Sequence, residues 1–279
     1  MLSGMNTAEY GPCDTAYHIA RLRAEGELLA DAAERAGFDA PVPACPDWRV
    51  RDLLKHLGYV HRWAAGYVRE QHARWVDRAS EAEILRGGPG DEALAGWFRD
   101  GHAALVRALE AADPGMSCWT FLEAPSPLAF WARRQAHETA IHRVDAQQAA
   151  AGGGAAGEPA FTPQFAADGI DEMIMGFLGR DAKRGSWDGP PGILTLHADD
   201  GAEGSAQWRV VSEPGGLAVT REDGAADWDI TGPAGWDITG PADGLYLLLW
   251  NRRDASGLDV RGDAGTLAGF REHFRVTWH

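Results

Sequence analysis

Residues 151–160, AGGGAAGEPA, separate two stretches whose apolar residues repeat with different periods. A segment this rich in Gly and Ala has too little side chain to pack a core, so it reads as a linker. Before it, apolar positions recur at helical spacing; beyond it, short alternating runs are punctuated by turn-forming clusters such as DDG, EPGG and EDG. With 279 residues the chain can fill two domains with separate cores. The expected fold class is therefore multidomain, a four-helix bundle over 1–155 followed by an α+β domain over 156–279.

Four helical segments are predicted in the first half, near residues 14–36, 48–76, 91–112 and 127–150. In the second of them Asp47, after the Pro46 break, is the expected N-cap. Val50, Leu53, Leu54, Leu57, Val60, Ala64 and Tyr67 make its inward stripe, with His56 at one edge and His61 at the other. The fourth opens on Ser126 as cap and Pro127 at the first helical position, where a missing N–H costs nothing. In the second half a helix is expected over 163–178, strands at 193–197, 208–211, 217–220 and 228–231, and helices near 242–252 and 264–274. WDITGPA at 228–234 recurs identically at 236–242. One tandem pair is too short for a repeat fold, so it reads as a local duplication in which only one copy keeps the strand register.

A net charge of −15 and a pI near 5 argue against neutralising nucleic-acid phosphates and favour a small-molecule partner. The longest apolar run, residues 245–250, is far too short to span a bilayer, and the N-terminus lacks a basic-then-apolar leader pattern. A cytoplasmic protein with no membrane partner is expected. Cys13, Cys45 and Cys118, odd in number and without CxxC spacing, read as reduced thiols. For Cys45 a small packing residue is favoured over a nucleophile, because no base or helix start beside it would lower its pKa.

The strongest chemical signal is WARRQAHETAIHRVDAQQ, residues 131–148. Arg134, Glu138, His142 and Asp145 are spaced by four, four and three, so they share one helix face with Trp131 and Ile141. Such a mixture of charge and large apolar groups points inward. Buried charge is tolerated when it is paired or binds metal, and Glu and His at i and i+4 reach a common ion. The bland alternative is an ordinary pair on a helix surface. A zinc-protease HExxH motif is ruled out, since its second histidine would fall on Ile141. A third ligand has to come from another helix, and helical geometry leaves His56 and His61 equally placed.

VPACPDWRVRDLLKHLGYVHRWA at 42–64 and AHETAIHRVDAQ at 136–147 resemble the mycothiol-dependent maleylpyruvate isomerase family, and GPADGLYLLLWNRRDASGLDVRGD at 240–263 is similar to that family's C-terminal domain. The resemblance implies a DinB-like metal-binding bundle followed by a sterol-carrier-like α+β domain. It also implies that His56, the histidine before Leu57-Gly58, joins Glu138 and His142 in holding a divalent metal, with zinc the leading expectation. Carried over in the same way, Asp145 and Arg252 are catalytic candidates and Arg253 is the second match for the arginine; Arg253, and Arg134 from the inward polar face, are candidates for binding the cofactor. Mycothiol is the implied thiol cosubstrate and an electrophilic small molecule the implied substrate. Three protein ligands leave coordination positions open, as in catalytic sites. The implied reaction is thiol addition giving cis-trans isomerisation or thiol transfer. Two further readings are a DinB-type hydrolase that activates water and a non-catalytic protein that holds a small ligand.

Overall fold

The computed structural model describes residues 9–76, 79–153, 160–185, 191–213, 216–223 and 235–262. They fall into two compact units, Asp14–Glu158 and the combination of Met1–Cys13 with Pro159–His279. No helix among the described residues is long and apolar enough to cross a membrane. Cys13, Cys45 and Cys118 form no disulfide.

The first unit is the expected bundle. Helix α1 (Thr15–Ala36) is capped by Asp14, whose carboxylate accepts from Tyr17 N at 2.7 Å, and stops at Gly37, whose φ of 80° suits a residue without Cβ. Helices α2 (Val50–Glu70), α3 (Glu81–Arg86), α4 (Asp91–Ala111) and α5 (Pro127–Ala150) follow. Ser126 accepts from Ala129 N at 3.1 Å with Pro127 inside the first turn, as the sequence predicts for α5. The long helices pack in the cyclic order α1, α4, α2, α5, with α1 lying along α5. Leu53, Leu54 and Leu57 of α2 meet Phe98 and Leu94 of α4 in the core. Unlike the other helices, α5 is buried nearly all round from Leu128 to Ala146. Its polar side chains are therefore inside.

Between α1 and α2 the chain forms a small antiparallel hairpin, β1 (Pro41–Val42) and β2 (Cys45–Arg49), where the sequence suggests the start of a helix. Val50 N to Ala40 O and Arg51 N to Phe38 O, each 3.0 Å, tie the hairpin to the first turn of α2. Asp47 is consequently not the N-cap: it lies exposed in β2, and Arg49 caps the helix, its backbone N–H donating to Asp52 at 2.8 Å. Two prolines bias their preceding residues toward extended backbone, which favours the hairpin over an earlier helix start. The helix also ends sooner than expected, at Glu70, where Gln71 takes a left-handed conformation with φ 50°.

In the second unit, helix α6 (Pro163–Asp171) continues through a π-helical stretch, Glu172–Leu178, into α7 (Gly179–Arg184). Strands β3 (Gly192–Asp199), β4 (Ser205–Glu213), β5 (Gly216–Asp223), β6 (Gly235–Gly240) and β7 (Asp259–Arg261) form one sheet in the order β5-β4-β3-β6-β7. All neighbours are antiparallel except β3 and β6. Leu194 and Leu196, Trp208 and Val210, Trp236 and Ile238 register across β3, β4 and β6 and are all buried. Helix α8 (Ala242–Leu249) packs on α6 and on β3 and β6; it ends at Leu249 rather than at 252. The second WDITGPA copy is thus the one that supplies strand β6. The first copy and the strand expected at 228–231, the helix expected at 264–274 and linker residues 154–159 lie outside the described residues.

Candidate metal centre

Two helices bring three ligating side chains together. His56 projects from α2, while Glu138 and His142 stand one turn apart on α5; one ligand atom from each lies within 4.8 Å of the others. Glu138 Oε1 is 3.4 Å from His56 Nε2 and 3.6 Å from His142 Nε2. Ligand atoms about 2.1 Å from a tetrahedral zinc ion are about 3.4 Å from one another, so this donor set fits a single divalent cation. All three residues are buried, with His142 the most accessible at 8 %.

Neighbouring side chains hold the three in place. Arg134 Nη2 donates to the other Glu138 oxygen, Oε2, at 2.9 Å, one helical turn away. Burial alone would push the Glu138 carboxyl up, but the adjacent His142 and His56 imidazoles and the Arg134 charge outweigh it and hold the group well below the usual carboxylate range. Glu138 is therefore an anion although it is buried. His142 Nδ1–H donates to Asp145 Oδ2 at 2.8 Å, which leaves Nε2 on the Glu138 side. The Asp145 side chain is itself fully buried. The line of Arg134, Glu138, His142 and Asp145 along α5 does face inward, as its spacing implies.

His61 is elsewhere. Its Nε2–H donates to Thr139 Oγ1 at 2.9 Å, and the Thr139 hydroxyl donates in turn to Gln135 O at 2.7 Å. Its ring lies 5.5 Å from both Phe98 and His102. Burial, then the neighbouring His102, push its pKa well below the ordinary imidazole value, so it is a neutral core histidine. Of the two histidines that sequence spacing leaves equally placed, His56 is the one within reach of Glu138 and His142.

One neighbour of the site carries no signal in the helical periodicity. Trp48, from β2, has its ring centroid 5.0 Å from that of His56 and 6.1 Å from that of His142, stacked on the latter at 25°. A buried ion pair, Arg143 Nε to Glu25 Oε2 at 2.7 Å, also ties α5 to α1. Cys45 is half-buried against the core beside this region. Cys118 accepts from Trp131 Nε1 at 3.2 Å, and burial raises its thiol pKa.

Arg252 and Arg253 belong to the second unit, in the turn after α8. Arg252 Nη1 donates to Trp250 O at 2.7 Å; Arg253 Nε donates to Asp254 O at 3.2 Å, and its Nη2 to Ser256 O.

Comparison with known proteins places both units. The family model of the mycothiol maleylpyruvate isomerase N-terminal domain matches residues 19–147, and that of the MDMPI C-terminal domain matches residues 164–269. Among solved structures, the crystal structure of the mycothiol-dependent maleylpyruvate isomerase is similar with a TM-score of 0.58 and 14 % identity over 90 % of this chain and 94 % of that one. A mutant of that isomerase with one histidine replaced by alanine gives the same TM-score at 15 % identity and the same coverage. At that identity the likeness is one of fold. No curated protein sequence matches the chain significantly. The helical unit and the sheet-containing unit carry the family's two domains in order, and the chain belongs to the mycothiol maleylpyruvate isomerase family.

Proposed function

We propose that this protein is a metal-dependent enzyme of the cytoplasm that uses a low-molecular-weight thiol, mycothiol, to act on an electrophilic small molecule, with cis-trans isomerisation as its leading reaction. The observation that carries the reading is the buried set His56, Glu138 and His142, within mutual reach of one ion in a member of this family. In this reading those three residues hold a divalent metal, zinc being the first choice among the ions that two imidazoles and one carboxylate suit, with iron, nickel and manganese as the others. When bound, such an ion supplies Lewis acidity that keeps a thiol ionised, and so nucleophilic, at neutral pH.

The chain's own residues do the rest. Asp145 fixes the His142 tautomer and ring plane, and it is the buried carboxylate next to the site that can hold or pass a proton. Arg134 neutralises one oxygen of Glu138, which leaves the other for the site, and is the bundle's candidate for a cofactor contact. Arg252, with Arg253 as the second choice, is assigned to neutralise a carboxylate of substrate or cofactor through its forked donors. The bundle, 1–155, would thus hold the metal, while Arg252 and Arg253 belong to the sterol-carrier-like domain, 156–279. In the overall reaction the thiol sulfur bonds to one carbon of an activated cis double bond. Rotation about the resulting single bond follows, and cleavage of the same C–S bond regenerates the thiol and the trans double bond.

The test is to purify the protein without added metal or chelator, measure its metal content by elemental mass spectrometry beside the His142→Ala variant, and assay maleylpyruvate isomerisation with and without mycothiol. About one zinc per chain, lost in the variant, and turnover only with the thiol are expected. Isomerisation without thiol would remove mycothiol from the reading, and hydrolysis of the substrate without thiol would replace it with an activation of water. No metal in either protein after reconstitution would overturn it.

A further inference from the structure

We infer that Trp48 is a positioning residue of the metal centre: by packing across both imidazoles it holds His56 and His142 in the arrangement that a metal ion requires. The inference rests on the metal-binding reading above and extends it to a residue outside the two ligand-bearing helices.

His56 and His142 come from different helices, and their rings touch each other edge to face, with centroids 5.2 Å apart at 69°. An edge-to-face pair of this kind has rotational freedom about both side chains unless something closes it. On α5, Asp145 fixes His142 through Nδ1. Trp48 lies against both rings, tilted by 47° on His56 and stacked at 25° on His142, so the three rings form one mutually packed cluster. A swing of either histidine ring toward the indole therefore requires the indole to move.

The indole is itself anchored. It sits on β2, immediately before Arg49, the cap of α2, and its partly buried ring packs on the core that includes Val50 and Leu53. The strand is tied to β1, while Val50 N to Ala40 O and Arg51 N to Phe38 O tie the first turn of α2 to the segment leading into β1. Arg51 donates to Asp91 of α4 at 2.8 Å and pairs with Asp39 as well. The hairpin thereby carries the fixed geometry of the α2 start to a point over the ligands. Supporting residues of this kind commonly change metal affinity by about 10–100-fold when removed.

The experiment compares metal-free wild type, Trp48→Ala and Trp48→Phe. Zinc affinity is read by competition with a chromophoric chelator, thermal melting is followed without metal, and 19F NMR is recorded on 5-fluorotryptophan-labelled protein. The Trp48 resonance is assigned as the one missing from the labelled Trp48→Phe protein. The expected results are a zinc affinity at least about tenfold weaker in Trp48→Ala, an affinity near wild type in Trp48→Phe, and a Trp48 resonance that moves on zinc addition. Wild-type affinity in Trp48→Ala, or a Trp48 resonance indifferent to zinc while wild type binds it, would overturn the inference and leave the metal site standing. Wild type that binds no zinc would overturn both. The NMR arm is read on the intact tryptophan, so an unmoved resonance overturns the inference even where Trp48→Ala melts early.

Discussion

His142 Nδ1–H donates to Asp145 Oδ2 at 2.8 Å, while the opposite nitrogen of the same ring lies 3.6 Å from Glu138 Oε1. One imidazole is thus oriented from behind by a buried carboxylate and presented in front to the candidate ligands, an arrangement that fixes tautomer and direction together. Asp145→Ala removes the rear partner and leaves the three ligand side chains unchanged. The variant is expected to retain zinc at stoichiometric protein concentrations, with affinity weakened by about tenfold, and to lose most thiol-dependent turnover. Equilibrium dialysis against buffered zinc alongside an activity assay checks both, and unchanged turnover would remove Asp145 from the mechanism.

The buried histidines of the core set an acid limit on stability. His61 is pushed well below its usual value of 6.5 by burial and then by His102, and His102 is lowered by its own burial. Above pH 6.5 both rings are neutral whether the chain is folded or unfolded, and they make no pH-dependent contribution. Below it the unfolded chain binds protons that the folded protein refuses, so stability falls as pH drops toward the folded-state values, by about 1.4 kcal/mol per pH unit for each ring. Glu138, also depressed, loses its contribution only at lower pH, as it falls from the ordinary 4.5 through the folded-state value. Denaturant unfolding of metal-free protein between pH 7.5 and 5 is expected to show this slope, and His61→Phe to lose one ring's share. An identical slope in the variant would mean that His61 does not titrate on unfolding.

Those two histidines also mark where sequence reading stops. Local chemistry is legible: Ser126 followed by Pro127 announces the start of α5, and the spacing of Arg134, Glu138, His142 and Asp145 puts them on one face whatever the helix packs against. The partner across the bundle is not legible from periodicity. His56 and His61 flank the same apolar stripe, and the rotation of α2 against α5 sends one to Glu138 and the other to Thr139. Resemblance selected His56 where spacing did not. The hairpin over residues 41–49 escaped because its prolines and short length look like a helix cap, and with it escaped Trp48, whose role exists only through contacts with side chains distant in sequence. The π-helical stretch at 172–178 has no pattern distinct from the α-helix expected there.

Gly58 is a position where helix propensity and packing oppose each other. In the middle of α2, alanine would ordinarily stabilise by about 1 kcal/mol. Here a Cβ would fall on the Trp97 ring of α4. That ring has little room to retreat, because the Arg62 guanidinium stacks 3.9 Å from its centroid while donating to Gly58 O at 2.8 Å and Trp97 O at 2.7 Å. Overpacking typically costs about 1–3 kcal/mol, so the clash outweighs the propensity gain. Gly58→Ala is expected to lower the denaturant midpoint, and a raised midpoint would show that Trp97 moves aside without loss.

In the sheet unit, Ile238 tests which WDITGPA copy carries the fold. Its side chain is fully buried in β6, opposite Leu196 of β3, and the adjacent Trp236 is 1 % exposed. Truncation of such a residue leaves a cavity that the parallel β3–β6 pairing has little freedom to collapse, with a typical cost of about 2–5 kcal/mol. Ile238→Ala should therefore destabilise the second unit strongly, seen as an early transition in a thermal melt, while zinc binding by the bundle is retained. Equal stability would transfer the role of the β6 core position to another residue.

Zinc linkage separates the two candidate histidines directly. An ion that binds only the folded chain adds about 2.7 kcal/mol of stability when free zinc stands a hundredfold above its dissociation constant. His56→Ala removes a ligand whose Nε2 is 3.4 Å from Glu138 Oε1, so this variant is expected to lose nearly all of the zinc-induced rise in melting temperature. His61→Phe removes a ring that touches Phe98 and His102 and bonds to Thr139, and it should keep the rise even if its metal-free melting temperature is lower. The comparison is internal to each variant, with zinc against chelator, so a general loss of stability does not imitate the loss of a ligand. A zinc response lost in His61→Phe and kept in His56→Ala would reverse the ligand assignment and with it the geometry on which the proposed function rests.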